Sequence, residues 1–311
     1  GRSELLLEKN WKFTREDNNE FIKPAFDDSK WQSVTVPHDW AIYGPFSSLN
    51  DKQEVAISQD GQKEAMEHAG RTGGLPFVGV GWYRTEFDVP QFQAGKRATI
   101  LFDGAMSHAN VYINGQKVGY WPYGYNSFHF DITKYLKPGE KNTLAVRLEN
   151  LPESSRWYPG AGRYRNVHLI ITEDAYIPVW GTYITTPSVN EKFAKVNVRT
   201  KVVLPEGADP AKYSVETSVW NPNKQKLTAV RTSLAQMKYN NNQAEQEFVI
   251  QAPSLWSPEM PALYSAETRL YEGDKLKDIY TTPFGIRSIE IIPDKGFFLN
   301  GKRTVFKGVC N

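Results

Sequence analysis

Short runs of Val, Ile, Thr and aromatic residues, cut repeatedly by Gly, Pro, Asn and Asp, fill most of this chain and leave little scope for anything but strands. Long helical periodicity is scarce. Residues 98–102, 109–113, 128–132, 143–148 and 166–171 read as strands, joined by turn chemistry at Asn114-Gly115 and Pro138-Gly139. Residues 196–204, 213–220, 227–234, 245–250 and 263–271 read the same way. Near the end, Asn300-Gly301 stands between apolar residues 297–299 and the strand-forming run Thr304-Val-Phe306, the strongest short signal for a tight hairpin. The fold class is all-β, with the spacing of β-sandwiches. Residues 44–81 lack this pattern and are expected to form a long loop, with a short helix over 62–68.

A length of 311 residues suits two domains, and the character of the chain changes after Glu173. We expect a first sandwich over 1–174, a second over 175–283 and a separate C-terminal hairpin over 284–311. The second has the length and strand number of an immunoglobulin-like sandwich, without the disulfide, since Cys310 is the only cysteine. That also removes zinc and redox motifs built on paired cysteines. With a formal charge of +2 and dispersed Lys and Arg, nothing points to a nucleic-acid partner. No stretch reaches the ~18 to 20 apolar residues that span a bilayer, and the N-terminal residues lack the apolar core of a signal peptide. These residues leave the compartment open; a bacterial periplasmic or secreted location with a leader removed is favoured, and a cytoplasmic one is possible.

Five stretches in order carry a resemblance: Asp28-Ser-Lys-Trp31 with Pro37-His-Asp-Trp40, Gly81-Trp-Tyr-Arg84, the segment 155–169 (SRWYPGAGRYRNVHL), Leu255-Trp-Ser-Pro258, and Leu299-Asn-Gly-Lys302 followed by Lys307-Gly-Val309. Together they resemble glycoside hydrolase family 2, the β-galactosidase and β-glucuronidase group. The resemblance implies a jelly-roll, galactose-binding-like sandwich, then an immunoglobulin-like sandwich, then the entrance to a (β/α)8 barrel. It implies a retaining exo-β-glycosidase, most simply a β-galactosidase, with β-glucuronide and β-mannoside as alternative substrates. Both catalytic glutamates of that family lie on the barrel, so no catalytic residue is expected here. The terminal hairpin has an edge that nothing covers, so more chain is expected after Asn311. The partners implied are a carbohydrate substrate and the chain's own barrel, with oligomer formation left open. The alternative from another class is a free-standing, lectin-like carbohydrate-binding protein of two sandwiches.

Sugars present hydroxyl rims and weakly apolar C–H faces, so planar side chains and fixed donors recognise them. Pro159-Gly-Ala-Gly162 breaks any regular element, placing Arg156, Trp157 and Tyr158 on a loop held by strands at both ends. Arg156 offers a planar fork of donors, and Trp157 or Tyr158 a ring face. A second aromatic loop, 119–126, adds Trp121 and Tyr123 as candidate substrate contacts. His38-Asp39 invites comparison with a catalytic triad. Adjacent residues on an extended chain point to opposite sides, however, and a structural role for Asp39 is expected. Trp11, Phe13, Phe26, Trp31 and Trp40 are expected to cover one sheet edge together, and Trp256 to pack at a domain junction. His68, His108, His129 and His168 have no spacing that suits a metal, and no metal or cofactor site is expected.

Overall fold

The computed structural model describes residues 1–39, 52–55, 66–69, 79–105, 108–122, 126–150, 163–164, 166–236 and 243–304. It divides into two compact units, Ser3–Ile171 and Thr172–Asn311, the latter also taking in Gly1–Arg2.

The first unit contains β1 (Ser3–Leu7), β2 (Trp11–Thr14), β3 (Gln32–Val34), β4 (His38–Asp39), β5 (Lys52–Val55), β6 (Met66–Ala69) and β7 (Gly79–Asp88). It continues through β8 (Arg97–Ala105), β9 (His108–Ile113), β10 (Gln116–Trp121), β11 (Asn126–Asp131), β12 (Lys141–Asn150), β13 (Arg163–Tyr164) and β14 (Val167–Thr172). One six-stranded sheet runs β1-β14-β8-β13-β4 with β11 also on β8; the other runs β10-β9-β12-β7-β2-β3. The pairings of described register within them are antiparallel, as in a jelly-roll sandwich. Alternation along β9 puts Ala109, Val111 and Ile113 inside, where they meet Ile100, Phe102, Leu169 and Ile171 of the facing sheet.

The aromatic residues that open the chain do not share one role. Trp11 and Phe13 lie in the core between the sheets, whereas Phe26 and Trp31 join Phe21 and Trp82 in a second cluster. Tyr83 belongs to the first cluster and Trp82 to the second, so β7 is covered on both faces. The second cluster is pinned by Arg84, 1% exposed, which donates to the carbonyl oxygens of Phe21 and Lys23 and to Asp28. The expected helix at 62–68 is overturned for Met66–His68: these residues are extended in β6, antiparallel to β5. Residues 62–65 lie outside the described residues.

The second unit has β15 (Thr182–Val189), β16 (Phe193–Lys201), β17 (Tyr213–Trp220), β18 (Lys226–Ser233), β19 (Gln243–Gln251), β20 (Tyr264–Glu272) and β21 (Lys275–Phe284). Sheets β15-β16-β19 and β18-β17-β20-β21 enclose Val196, Val198, Val219, Phe248, Ile250 and Ala266. Gln246 ties the sheets across the core. Its Oε1 accepts from the Thr217 hydroxyl at 2.5 Å, and its Nε2 donates to the Val215 and Val230 carbonyls at 3.1 and 3.0 Å. A small third sheet, β22 (Ile289–Ile292), β23 (Gly296–Leu299) and β24 (Lys302–Arg303), turns at Asn300-Gly301 with φ of +54° and +79°. Asn300 anchors it: Oδ1 accepts from Ser288 N at 2.9 Å and Nδ2 donates to Trp256 O at 2.8 Å. Trp256 thus packs where the second sandwich meets this sheet, with the Arg287 guanidinium 5.1 Å from its ring centroid.

Candidate functional site

Strand register brings the connections of interest to one end of the first sandwich. In one sheet Trp121 pairs with Ala109, His108 with Glu149, and Asn150 with Gly79. In the other, Asn126 and Tyr164 both pair with Ala105, and Arg163 with Asp39. The two sheets meet at this end through the short step from Ala105 to His108. The strand ends that flank 40–78, 106–107, 122–125 and 151–162 in the sequence therefore all lie at the same rim. The opposite end is closed by tight, hydrogen-bonded turns, among them Asn114-Gly115, with φ of +50° and +81°.

Arg156, Trp157, Tyr158 and Tyr123 lie outside the described residues, but the strand ends that hold them, Asn150, Arg163, Trp121 and Asn126, all belong to this rim. Trp121 itself is described. Its indole stacks on Phe128 with centroids 5.3 Å apart and planes 14° apart, half-buried against the core. The ring that faces outward is its neighbour Tyr120, 45% exposed, whose hydroxyl is 2.5 Å from His108 Nδ1. The sequence reading passed over this pair; the signal that could have found it is the in-and-out alternation of β9 carried across to β10.

Several described polar side chains are paired with one another. His38 Nδ1 and the Tyr83 hydroxyl share a 2.6 Å hydrogen bond, and the imidazole packs on Phe13. Trp40 and the side chain of Asp39 lie outside the described residues. Arg147 bridges Asp17 and Glu149, at 2.9 and 3.2 Å. Hydrogen bonding from Arg147 holds the Asp17 carboxyl below its ordinary value, with Trp82 Nε1 donating to it as well. His168 lies between Glu4 and Asp103, at 2.7 and 3.3 Å. In the second unit, burial works to raise the Asp174 carboxyl, but the Lys277 ammonium 3.0 Å away prevails and holds it low. Among the described residues no three His, Cys, Asp or Glu side chains converge as metal ligands, and no helix is long and apolar enough to cross a membrane.

Comparison with known proteins accounts for both units. The sequence model for the sugar binding domain of glycosyl hydrolases family 2 matches residues 5–172, and a further model for glycosyl hydrolases family 2 matches 176–287. A β-galactosidase of Bacteroides ovatus is 38% identical over 301 residues, 96% of this chain and 33% of that protein. A β-glucuronidase of Bacteroides fragilis is 31% identical over 322 residues, 99% of this chain and 41% of that protein. Among solved structures, a glycosyl hydrolase family 2 member from Bacteroides cellulosilyticus superposes with a TM-score of 0.78 at 32% identity, covering 96% of this chain and 37% of its own. Bacteroides uniformis β-glucuronidase 2, covalently bound to cyclophellitol-6-carboxylate aziridine, gives a TM-score of 0.77 at 27% identity, covering 99% and 35%. The chain thus spans about a third of the length of these relatives.

Proposed function

Because the chain belongs to glycosyl hydrolase family 2, we propose that its two sandwiches serve a retaining exo-β-glycosidase as pocket wall and support, while the reacting carboxylates are supplied by a catalytic barrel beyond these residues. The observation that carries this reading is the shared rim. The strand ends flanking Arg156, Trp157, Tyr158 and Tyr123 lie together at one end of the domain that matches the family's sugar-binding model. A retaining glycosidase needs two carboxyl groups about 5 to 5.5 Å apart, one as nucleophile and one as acid and base. The carboxylates grouped around a shared partner among the described residues, Asp17 with Glu149, Glu4 with Asp103 and Asp174 with Glu272, are each held by a cation or an imidazole. They suit structural roles. The covalent complex of the Bacteroides uniformis relative agrees with a nucleophilic route.

The substrate we favour is a terminal β-galactoside, in line with the relative of 38% identity. A β-glucuronide is the second reading, carried by relatives of that activity. The two make different demands on Arg156. A galactoside offers it hydroxyl acceptors, whereas a uronate offers a carboxylate that a guanidinium pairs with in bidentate geometry. The test is hydrolysis of 4-nitrophenyl β-galactoside and β-glucuronide by the complete protein and by the 311-residue chain. Turnover by the complete protein alone is expected, with the galactoside preferred. Turnover by the chain alone would contradict the assignment of chemistry to the barrel, and a complete protein that binds sugar without hydrolysing it would favour a lectin.

A further inference from the structure

Part of the outer face of the sheet β10-β9-β12-β7-β2-β3 is covered, where Phe21, Phe26 and Trp31 pack with Trp82, Ala145 and Tyr112. Beside that cover, three planar side chains form one row across β10, β9 and β12. Tyr120 pairs with Asn110, and Asn110 with Arg147. Their sequence neighbours Trp121, Ala109, Val111, Val146 and Leu148 belong to the core between the sheets, so the row projects from the opposite face. At about 4.8 Å per strand it is roughly 10 Å long. Both ends are fixed. The Tyr120 hydroxyl lies 2.5 Å from His108 Nδ1 and the two rings stack with centroids 6.0 Å apart, leaving Tyr120 45% exposed. Arg147 is held by Asp17 and Glu149 at 2.9 and 3.2 Å. Three N–H groups of its guanidinium are engaged there, out of the five that an arginine carries. Asn110, half-buried between the two, makes no side-chain hydrogen bond to a described residue.

We propose that this row is a binding site for a neutral glycan chain, set on the sheet itself and separate from the loops of the rim. One sugar ring lies with its C–H face on Tyr120, and hydroxyls of that sugar or the next reach the Asn110 amide and the remaining N–H groups of Arg147. The ring and the guanidinium are held in place before a ligand arrives, so little side-chain freedom is lost on binding. Charge selects the ligand class. The two cations at the row, Arg147 and Lys117, whose Nζ lies 5.9 Å from the Tyr120 ring centroid, are matched by Asp17 and Glu149. A balanced face offers no net attraction to a phosphate backbone or a sulfated chain. A protein partner fits poorly too, because one exposed ring among polar groups lacks the apolar centre and the roughly 800 Å² per side of a stable interface. The site shares with the proposed function only its ligand class, and it takes no part in hydrolysis.

Titration calorimetry of the 311-residue chain with β-1,4-galactotetraose, cellotetraose, mannotetraose and xylotetraose tests this without recourse to turnover. Saturable binding of at least one of them is expected. For that ligand Tyr120→Ala should weaken binding roughly tenfold or more and Asn110→Ala roughly fivefold, whereas Tyr120→Phe, which keeps the ring, should change it by no more than about threefold. Both side chains project from the sheet, so the variants should keep the far-UV circular dichroism and Tm of the unsubstituted chain. Failure of all four tetrasaccharides to bind, or binding that Tyr120→Ala leaves intact, would overturn the site. So would tighter binding of a galacturonic acid tetramer than of every neutral one, since the row would then select charge. Binding that Arg156→Ala abolishes and Tyr120→Ala spares would assign the sugar to the rim, overturning the site on the sheet while the proposed function stands. The proposed function fails separately, on the hydrolysis assays of the complete protein.

Discussion

Arg84 explains at the level of one side chain why two motifs far apart in sequence belong together. The Trp-Tyr-Arg run at 82–84 and the Asp28-Ser-Lys-Trp31 segment are both legible as family signatures, yet nothing in either says that they touch. In the structure the Arg84 guanidinium reaches Asp28 at 3.0 Å and the carbonyls of Phe21, Lys23 and Phe26, fixing the segment that covers the outer face of β7. Removing the cation leaves those carbonyls and the Asp28 carboxylate without their donor in a largely closed site. Arg84→Met is therefore expected to destabilise the first sandwich by about 3–5 kcal/mol, the range for breaking a buried pair from one side. Asp28→Asn should cost less, because the Asp28 side chain keeps 27% of its surface exposed and the backbone acceptors remain. Urea denaturation followed by tryptophan fluorescence measures both, and a loss under about 1 kcal/mol for Arg84→Met would mean that the segment holds by apolar contact alone.

Strands announced themselves unevenly. The ten strands read from residue pattern are present, because alternation such as that of β9, or an Asn-Gly turn such as 114–115, states register directly. The two strands of the second sandwich that the pattern missed, β15 and β21, carry Pro187 and Pro283 and lie at the edges of their sheets. A proline removes a ladder donor and demotes a run when read alone, yet an edge strand accommodates it, in β15 at the register shift between Thr185 and Ser188. The extended pair β5 and β6 gave no such signal at all. In β10, read from the sequence as part of a loop, Trp121 follows the inward phase, onto Phe128, and Tyr120 the outward one. Gly119 follows a register shift after Lys117, and a Cβ there would lie 2.4 Å from Cε1 of Phe130. Gly119→Ala should accordingly push Phe130 against Phe128 and the stacked Trp121, costing about 1–3 kcal/mol as overpacking does. Near-UV circular dichroism would report the disturbed stack, and an unchanged aromatic spectrum with unchanged stability would show that Phe130 swings aside freely.

At the scale of the whole molecule, the two ends of the first sandwich are built differently. The end carrying Asn114, Pro138 and Asn142 is built from short turns whose polar groups satisfy one another. Asn142, fully buried, accepts from Asn114 Nδ2 and Lys137 N at 2.8 Å and donates to the Lys137 and Glu140 carbonyls at 3.0 Å. At the other end lie the strand ends that flank Arg156, Trp157, Tyr158 and Tyr123 in the sequence, which the proposed function makes the binding side. Loops set on a rigid scaffold are where binding chemistry concentrates, and closed turns are where stability does. Substitution at the two ends should then separate the two properties. Asn142→Ala strands several buried donors and acceptors and is expected to lower stability by about 1–3 kcal/mol while leaving kcat/KM of the complete protein unchanged. Arg156→Ala, and Trp157→Ala or Tyr158→Ala beside it, should lower kcat/KM by roughly tenfold or more, about 1.4 kcal/mol of transition-state stabilisation, with little change in Tm. The paired measurement is a melting curve and a kcat/KM determination on each variant. Arg156→Ala that lowers Tm and spares kcat/KM would assign Arg156 to packing and move the sugar contacts off this rim. Asn142→Ala that impairs catalysis at constant Tm would erase the division between the ends.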